Sequence, residues 1–214
     1  MHQTSLCRIS ALSGIAAPVV LAIVAGILGV IQAGYNPVTQ LMSELGETGA
    51  PYAGIMNVGF VTTGLLMVLF SYSVYVLIGK SVPGMIGSGL IVAAGISFIA
   101  MGFFSCDAGC LPLTLPGQIH LQLGLFASVA AVAAMFLLGY SMRRAGTWNR
   151  YWQFSVITGV LVLLILPVFV FAGNSDGLLQ RLMVGIIFLW MEVLAIRFFH
   201  ACSTQGELNS PQVP

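Results

Sequence analysis

Charge is what this chain has least of. Of its 214 residues only 6% are Asp, Glu, Lys or Arg, where a soluble domain carries about 25%. So few charges cannot cover a folded surface in water, and no stretch is polar enough to form a separate soluble domain. Lipid is therefore the solvent. The net charge of +1 leaves no basic footprint for nucleic acid. Other absences narrow the chemistry. No phosphate-cradling glycine loop is present, which argues against a self-powered pump. No Gly-x-Ser-x-Gly frames a serine nucleophile. Of the three histidines, His2 and His200 fall at the chain ends, so His120 has no intramembrane partner for bis-His haem. Cys106, Cys110 and His120, even with Asp107, do not follow a zinc spacing. No metal and no cofactor is expected. Runs such as 159–172 do not alternate apolar with polar, which excludes a transmembrane barrel.

What remains is hydrocarbon-compatible sequence, 58% hydrophobic with a mean hydropathy of +1.02. A bilayer core of ~30 Å takes roughly 20 apolar residues as helix. Six stretches qualify, at about 11–31, 53–78, 85–104, 118–142, 154–172 and 182–199. They predict an all-α, six-transmembrane helix bundle forming one membrane domain over 1–202, with a disordered cytoplasmic tail over 203–214. The first run is longer than the 7–15 apolar residues of a signal peptide and has no small-x-small cleavage site, so it reads as an uncleaved span.

Lys and Arg concentrate in cytoplasmic loops. With the N-terminus inside, Arg8, Lys80, Arg143, Arg144, Arg150 and Arg197 fall inside and only Arg181 outside. Both termini are then cytoplasmic. Glu44, Glu47, Asp107 and Asp176 gather on the outer face, in loops 34–52, 105–117 and 173–180, the last turn-like with Asn174 and Gly177. Trp148, Tyr151 and Trp152 suit the inner headgroup belt. A disulfide between Cys106 and Cys110 is expected, because both thiols lie in an oxidising compartment. Cys7 and Cys202, on the reducing side, are expected as free thiols.

The pair Asn36-Pro37, the run Ser43-Glu44-Leu45-Gly46, Asn57 with Gly59-Phe60, Phe103-Phe104 before Cys106-Asp107, and His120 at the head of span four follow one another in this order. The sequence resembles, on these residues, the prokaryotic multi-pass family known as domain of unknown function 998. The resemblance implies a plasma (inner) membrane protein of a prokaryote and implies no activity. The Cys106/Cys110 pair departs from the usual family loop.

Few side chains are left to carry chemistry. Glu192 lies inside span six, where a carboxyl is costly and marks a proton, cation or ligand site. On an ideal helix Arg181, Gly185, Phe188 and Glu192 share a face, with ~16 Å between Arg181 and Glu192 along the axis. His120 tops a small, partly polar face with Gly124 and Ser128, and imidazole suits a general base or a ligand contact. Ser43 reads as a helix cap. The leading reading is a non-catalytic protein with an outward-facing polar pocket, walled by spans two, four and six. Its expected lining is Asn57, Asp107, His120, Arg181 and Glu192, and its occupant a lipid, a small amphiphile, or a membrane-protein partner such as a second copy. A second reading is an outer-leaflet lipid-modifying hydrolase using His120 with Asp107 or Glu44. A third is a proton-coupled carrier using Glu192.

Overall fold

The computed structural model describes residues 2–146, 148, 150–171 and 176–208. It is helical, with no strand among those residues. The long helices are α1 (His2–Ile31), α2 (Ala53–Ile78), α3 (Val82–Met101), α4 (Leu115–Ala145), α5 (Tyr151–Phe171) and α6 (Asp176–Leu208). All six are long and apolar enough to cross a membrane.

Helix α2 has the limits expected from hydropathy, while the others start or stop elsewhere. Apolar length sets what must lie in hydrocarbon, but backbone hydrogen bonding sets where a helix ends. Ser81 accepts from Gly84 N at 3.2 Å and so opens α3. Thr114 accepts from Gly117 N at 3.3 Å and opens α4. Both helices also have proline in the first turn, where a missing N–H costs nothing. Gly146, at φ 70°, stops α4, since a left-handed residue suits glycine. Helix α6 continues through 203–208, part of the stretch expected as a tail. Positions 209–214 lie outside the described residues, as does Asn174 of the third outer loop.

Each helix packs against its neighbours in chain order, and α6 closes back on α1. The result is an up-and-down ring. Its centre is filled by Leu21, Phe60, Phe70, Met135, Leu138, Trp190, Leu194 and Phe198, all under 3% exposed. The outer surface is equally apolar, with Ile23 and Ile27 of α1, Leu65 and Leu69 of α2, and Leu121, Leu125 and Val129 of α4 facing outward. With apolar groups on both sides, helix association depends on close packing rather than on escape from water. Small residues supply it: a side chain on Gly87 would collide with Leu138, and one on Gly14 with Phe70.

One end of the ring carries the start of α1, the end of α6 and most of the basic residues. There Arg8 lies over Phe199 at 5.1 Å and Arg143 over Trp152 at 5.0 Å, cation–π contacts suited to a headgroup belt. The other end carries the two longer loops, each with a short 3-10 turn, Met42–Gly46 and Ala108–Cys110.

Closure of α6 on α1 overturns the expectation for two cysteines. Cys7 and Cys202 are joined as a disulfide, with Cα atoms 5.8 Å apart. Residues 195 positions apart meet only because the ring closes, so no local reading could pair them. Cys106 and Cys110 form the other disulfide, with Cα atoms 4.8 Å apart. The two bridges stand at opposite ends of the bundle, so the pairing of thiols no longer distinguishes one side of the membrane from the other.

Candidate functional site

The loop between α1 and α2 folds over the end of the ring and is stitched to α6. Leu178 N donates to Val38 O at 2.9 Å, and Met42 N donates to the Gln180 side chain at 2.6 Å. Arg181 donates from Nη1 to the carbonyls of Pro37 (2.8 Å), Gln40 (3.0 Å) and Gly177 (3.0 Å), and from Nη2 to the Tyr35 hydroxyl.

The Ser43-Glu44-Leu45-Gly46 run is the core of this lid. Glu44, not Ser43, caps the turn: one carboxylate oxygen accepts from Leu41 N at 2.7 Å and the other from Gln40 Nε2 at 2.9 Å. Ser43 Oγ instead accepts from Gln180 Nε2 at 3.4 Å. Leu45 is fully buried. Gly46 leaves the room that the Asn57 side chain occupies, since a Cβ there would stand 2.6 Å from Asn57 Oδ1. Asn57 Nδ2 donates to Ser105 Oγ at 2.8 Å, tying α2 to the second loop, while its Oδ1 is buried without a partner. The two loops meet through Thr48 N donating to Cys106 O at 2.9 Å and Gly109 N donating to Glu47 Oε2 at 2.6 Å.

Asp107 organises the second loop. It accepts from Leu113 N (3.0 Å), Thr114 N (2.7 Å) and Thr114 Oγ1 (2.7 Å). The Thr114 hydrogen bonds hold its carboxyl below the ordinary range, as donors to an ionised carboxylate do. Gly117 lies against this carboxylate, with no room for a Cβ.

Under the lid is a cavity of about 290 Å³. Its walls come from α2, α3, α4, α5 and α6, with Leu41, Met42 and Ser43 as part of the roof and Cys106 and Cys110 beside it. Most of the lining is apolar, including Phe60, Phe98, Met101 and Phe188, and the polar exceptions are few: Ser43, His120, Ser128 and Gln180.

His120 is 3% exposed. Its Nδ1 lies 2.7 Å from the Phe104 carbonyl, and the Met101 carbonyl is also beside the ring. A carbonyl can only accept, so Nδ1 carries the proton. Nε2 is buried and has no partner. An imidazolium buried without a counter-charge would be costly, which leaves Nε2 as a buried lone-pair acceptor on a residue that lines an apolar cavity.

The five residues expected to line one pocket are divided. His120 lines the central cavity, whereas Asn57 and Asp107 hold the loops together. Arg181 and Glu192 line a separate groove of about 670 Å³ between α1 and α6. That groove runs over Pro18, Ala22, Gly26, Gly29 and Gly185 and shares Met42, Val184 and Phe188 with the cavity. A single layer of side chains therefore separates the two spaces. Glu192 is half-buried in the groove and has no hydrogen-bond partner among the described residues. The hydrogen bonds of Asp107 and Glu44 go to the loops, and His120 makes its own to Phe104, so no carboxylate among the described residues orients this histidine as a hydrolytic triad would require. Gln180, which touches both lid and cavity, escaped the sequence reading because it lies just before the apolar run of span six.

These features define a six-span helical membrane protein with an apolar cavity beneath its loop end. The chain belongs to the family described as "Protein of unknown function (DUF998)", whose profile matches residues 15–197. No curated protein and no solved structure was found to match it.

Proposed function

We propose that the protein binds a hydrophobic amphiphile bearing a hydroxyl group in the cavity beneath the lid. The observation that carries this reading is His120, a residue lining an apolar chamber whose Nε2 is a buried acceptor without a donor. Buried polar groups are almost always paired, and an acceptor left unpaired costs about 1–3 kcal/mol. A ligand O–H supplies the missing donor, while the aromatic and methionine walls take its hydrocarbon. The α1/α6 groove, one side-chain layer away, is the route by which such a ligand arrives from the bilayer, with Met42, Val184 and Phe188 as the movable wall.

The reading includes an orientation. The protein resides in a prokaryotic plasma membrane with both termini cytoplasmic, so that lid and cavity face outward, as the sorting of Lys and Arg supports.

The test uses purified full-length protein with farnesol and farnesyl methyl ether, which differ in the donor. The alcohol is expected to bind about tenfold more tightly, in line with one satisfied acceptor. His120→Phe removes the acceptor and is expected to abolish the preference. Equal binding of alcohol and ether to the wild type, or an unchanged preference in the variant, would refute the reading.

A further inference from the structure

At the end of the bundle where α1 starts and α6 ends lies another cavity of about 670 Å³. Three separate segments converge on it: the turn between α2 and α3 with Lys80, the end of α4 with Arg144, and α6 with Arg197 and His200. Trp148 forms part of the wall, and the hydrogen-bonded pair Ser81 and Ser141 also lies there. No carboxylate is among the described residues that line it.

The two arginines are held in place by aromatic groups. Arg144 Nε donates to the Tyr140 hydroxyl at 3.1 Å, with the guanidinium 5.3 Å from the ring centroid. Arg197 lies over Trp148 at 5.8 Å and Tyr151 at 6.0 Å. Stacking occupies the face of a guanidinium and leaves edge N–H groups for an anion. The retention of basic residues on one side of a membrane explains which end these side chains occupy. It does not require three of them to border one cavity with no acidic partner among the described residues. Like charges so placed repel one another, and an anion between them reverses the sign of that interaction.

We propose that this cavity binds a phosphate group. Arginine matches phosphate oxygens through paired N–H donors and lysine adds a compact charge, and basic recesses between membrane helices hold anionic headgroups. The apolar part of the lining, Val76, Leu77, Ile78 and Ala201, accommodates the non-ionic portion of a phosphate ester. Two sources share this chemistry, the headgroup of an anionic phospholipid and a soluble phosphate ester.

The experiment measures both on the full-length chain. In one arm, native mass spectrometry counts phosphatidylglycerol retained from mixed phosphatidylglycerol/phosphatidylcholine nanodiscs. In the other, calorimetry in detergent follows glycerol phosphate. Preference for phosphatidylglycerol with no glycerol phosphate binding assigns the site to lipid, whereas saturable glycerol phosphate binding assigns it to a soluble ester. Arg144→Gln and Arg197→Gln are each expected to weaken the bound form about tenfold, the loss of one charge-assisted contact. Lys80→Gln, on an exposed turn, provides the same test where packing is not at risk. Arg150→Gln, outside the lining, leaves binding unchanged. Absence of any preference for either phosphate form, or an equal loss in Arg150→Gln, would overturn the proposal.

Discussion

Gly64 of α2 and Gly95 of α3 face each other with only backbone between them. A Cβ on Gly64 would fall on the Gly95 carbonyl oxygen, and one on Gly95 would stand 2.8 Å from the Gly64 carbonyl. Because neither partner atom is the end of a flexible side chain, a methyl group here pushes two helices apart. Gly64→Ala is expected to cost about 1–3 kcal/mol, the usual penalty of overpacking, read as a lower melting temperature in detergent. Gly26→Ala, where a Cβ meets nothing within 4 Å, is the matched control and should melt no lower than the wild type.

The two disulfides differ in what they constrain. In the chain-entropy view a bridge stabilises more as the closed loop lengthens. With separations of 195 and 4 residues, the upper values are about 5 kcal/mol for Cys7–Cys202 and about 2 kcal/mol for Cys106–Cys110. The double variant Cys7→Ser/Cys202→Ser should therefore melt at a lower temperature than Cys106→Ser/Cys110→Ser when oxidised samples are compared. The opposite order would mean that the first and last helices stay together without their bridge.

Asp107 makes the loop end sensitive to acid. Hydrogen bonds from Thr114 hold its folded pKa below the ordinary value of 3.8. A depressed carboxyl contributes stability that is fully present above the unfolded value and is lost as pH falls through the folded one. Asp107→Asn should melt below the wild type at neutral pH, and the gap should stay constant down to about pH 4 before narrowing. A gap that closes between pH 7 and 5 would point to another group.

Filling the cavity should separate binding from folding. The only atom near a Cβ on Gly124 is Met101 Cε at 3.9 Å, so Gly124→Leu projects into the cavity rather than into the helix packing. Alanine and leucine also favour helix over glycine by about 1 kcal/mol. Farnesol binding should drop at least tenfold while the melting temperature holds or rises. Retained binding would place the ligand elsewhere.

Orientation is checked with single cysteines in a background where all four native cysteines are serine. Thr48→Cys, on the exposed part of the lid, should react with a membrane-impermeant maleimide in intact cells. Ala145→Cys, exposed at the end of α4, should react only after lysis. The reverse pattern would turn the molecule over, placing the His120 cavity toward the cytoplasm.

The motif residues were legible as a set before their geometry was. Glu44, Asn57 and Asp107 read as candidates for chemistry because polar groups are scarce in such a chain, with Ser43 read as a cap and Gly46 as part of the family run. The structure uses them to close two loops over the bundle, through the Glu44 cap, the room left at Gly46 and the Thr114 hydrogen bonds to Asp107. Asn57 and His120 each bury an unpaired atom, and of the two only His120 lines the cavity. A polar residue beside a membrane has two uses, satisfying loop backbone or facing a ligand, and residue type does not distinguish them.

Number of spans, helical class and uneven distribution of basic groups are one-dimensional properties, since hydrocarbon thickness selects apolar length and charge is excluded from it. Those were decided by the order of residues alone. The closing of α6 on α1, the Cys7–Cys202 bridge, and the division between the His120 cavity and the Arg181–Glu192 groove were decided by packing. The physical reason is that a helix apolar on every side carries no stripe to mark its inner face; which side chains meet depends on where glycines let neighbouring helices approach.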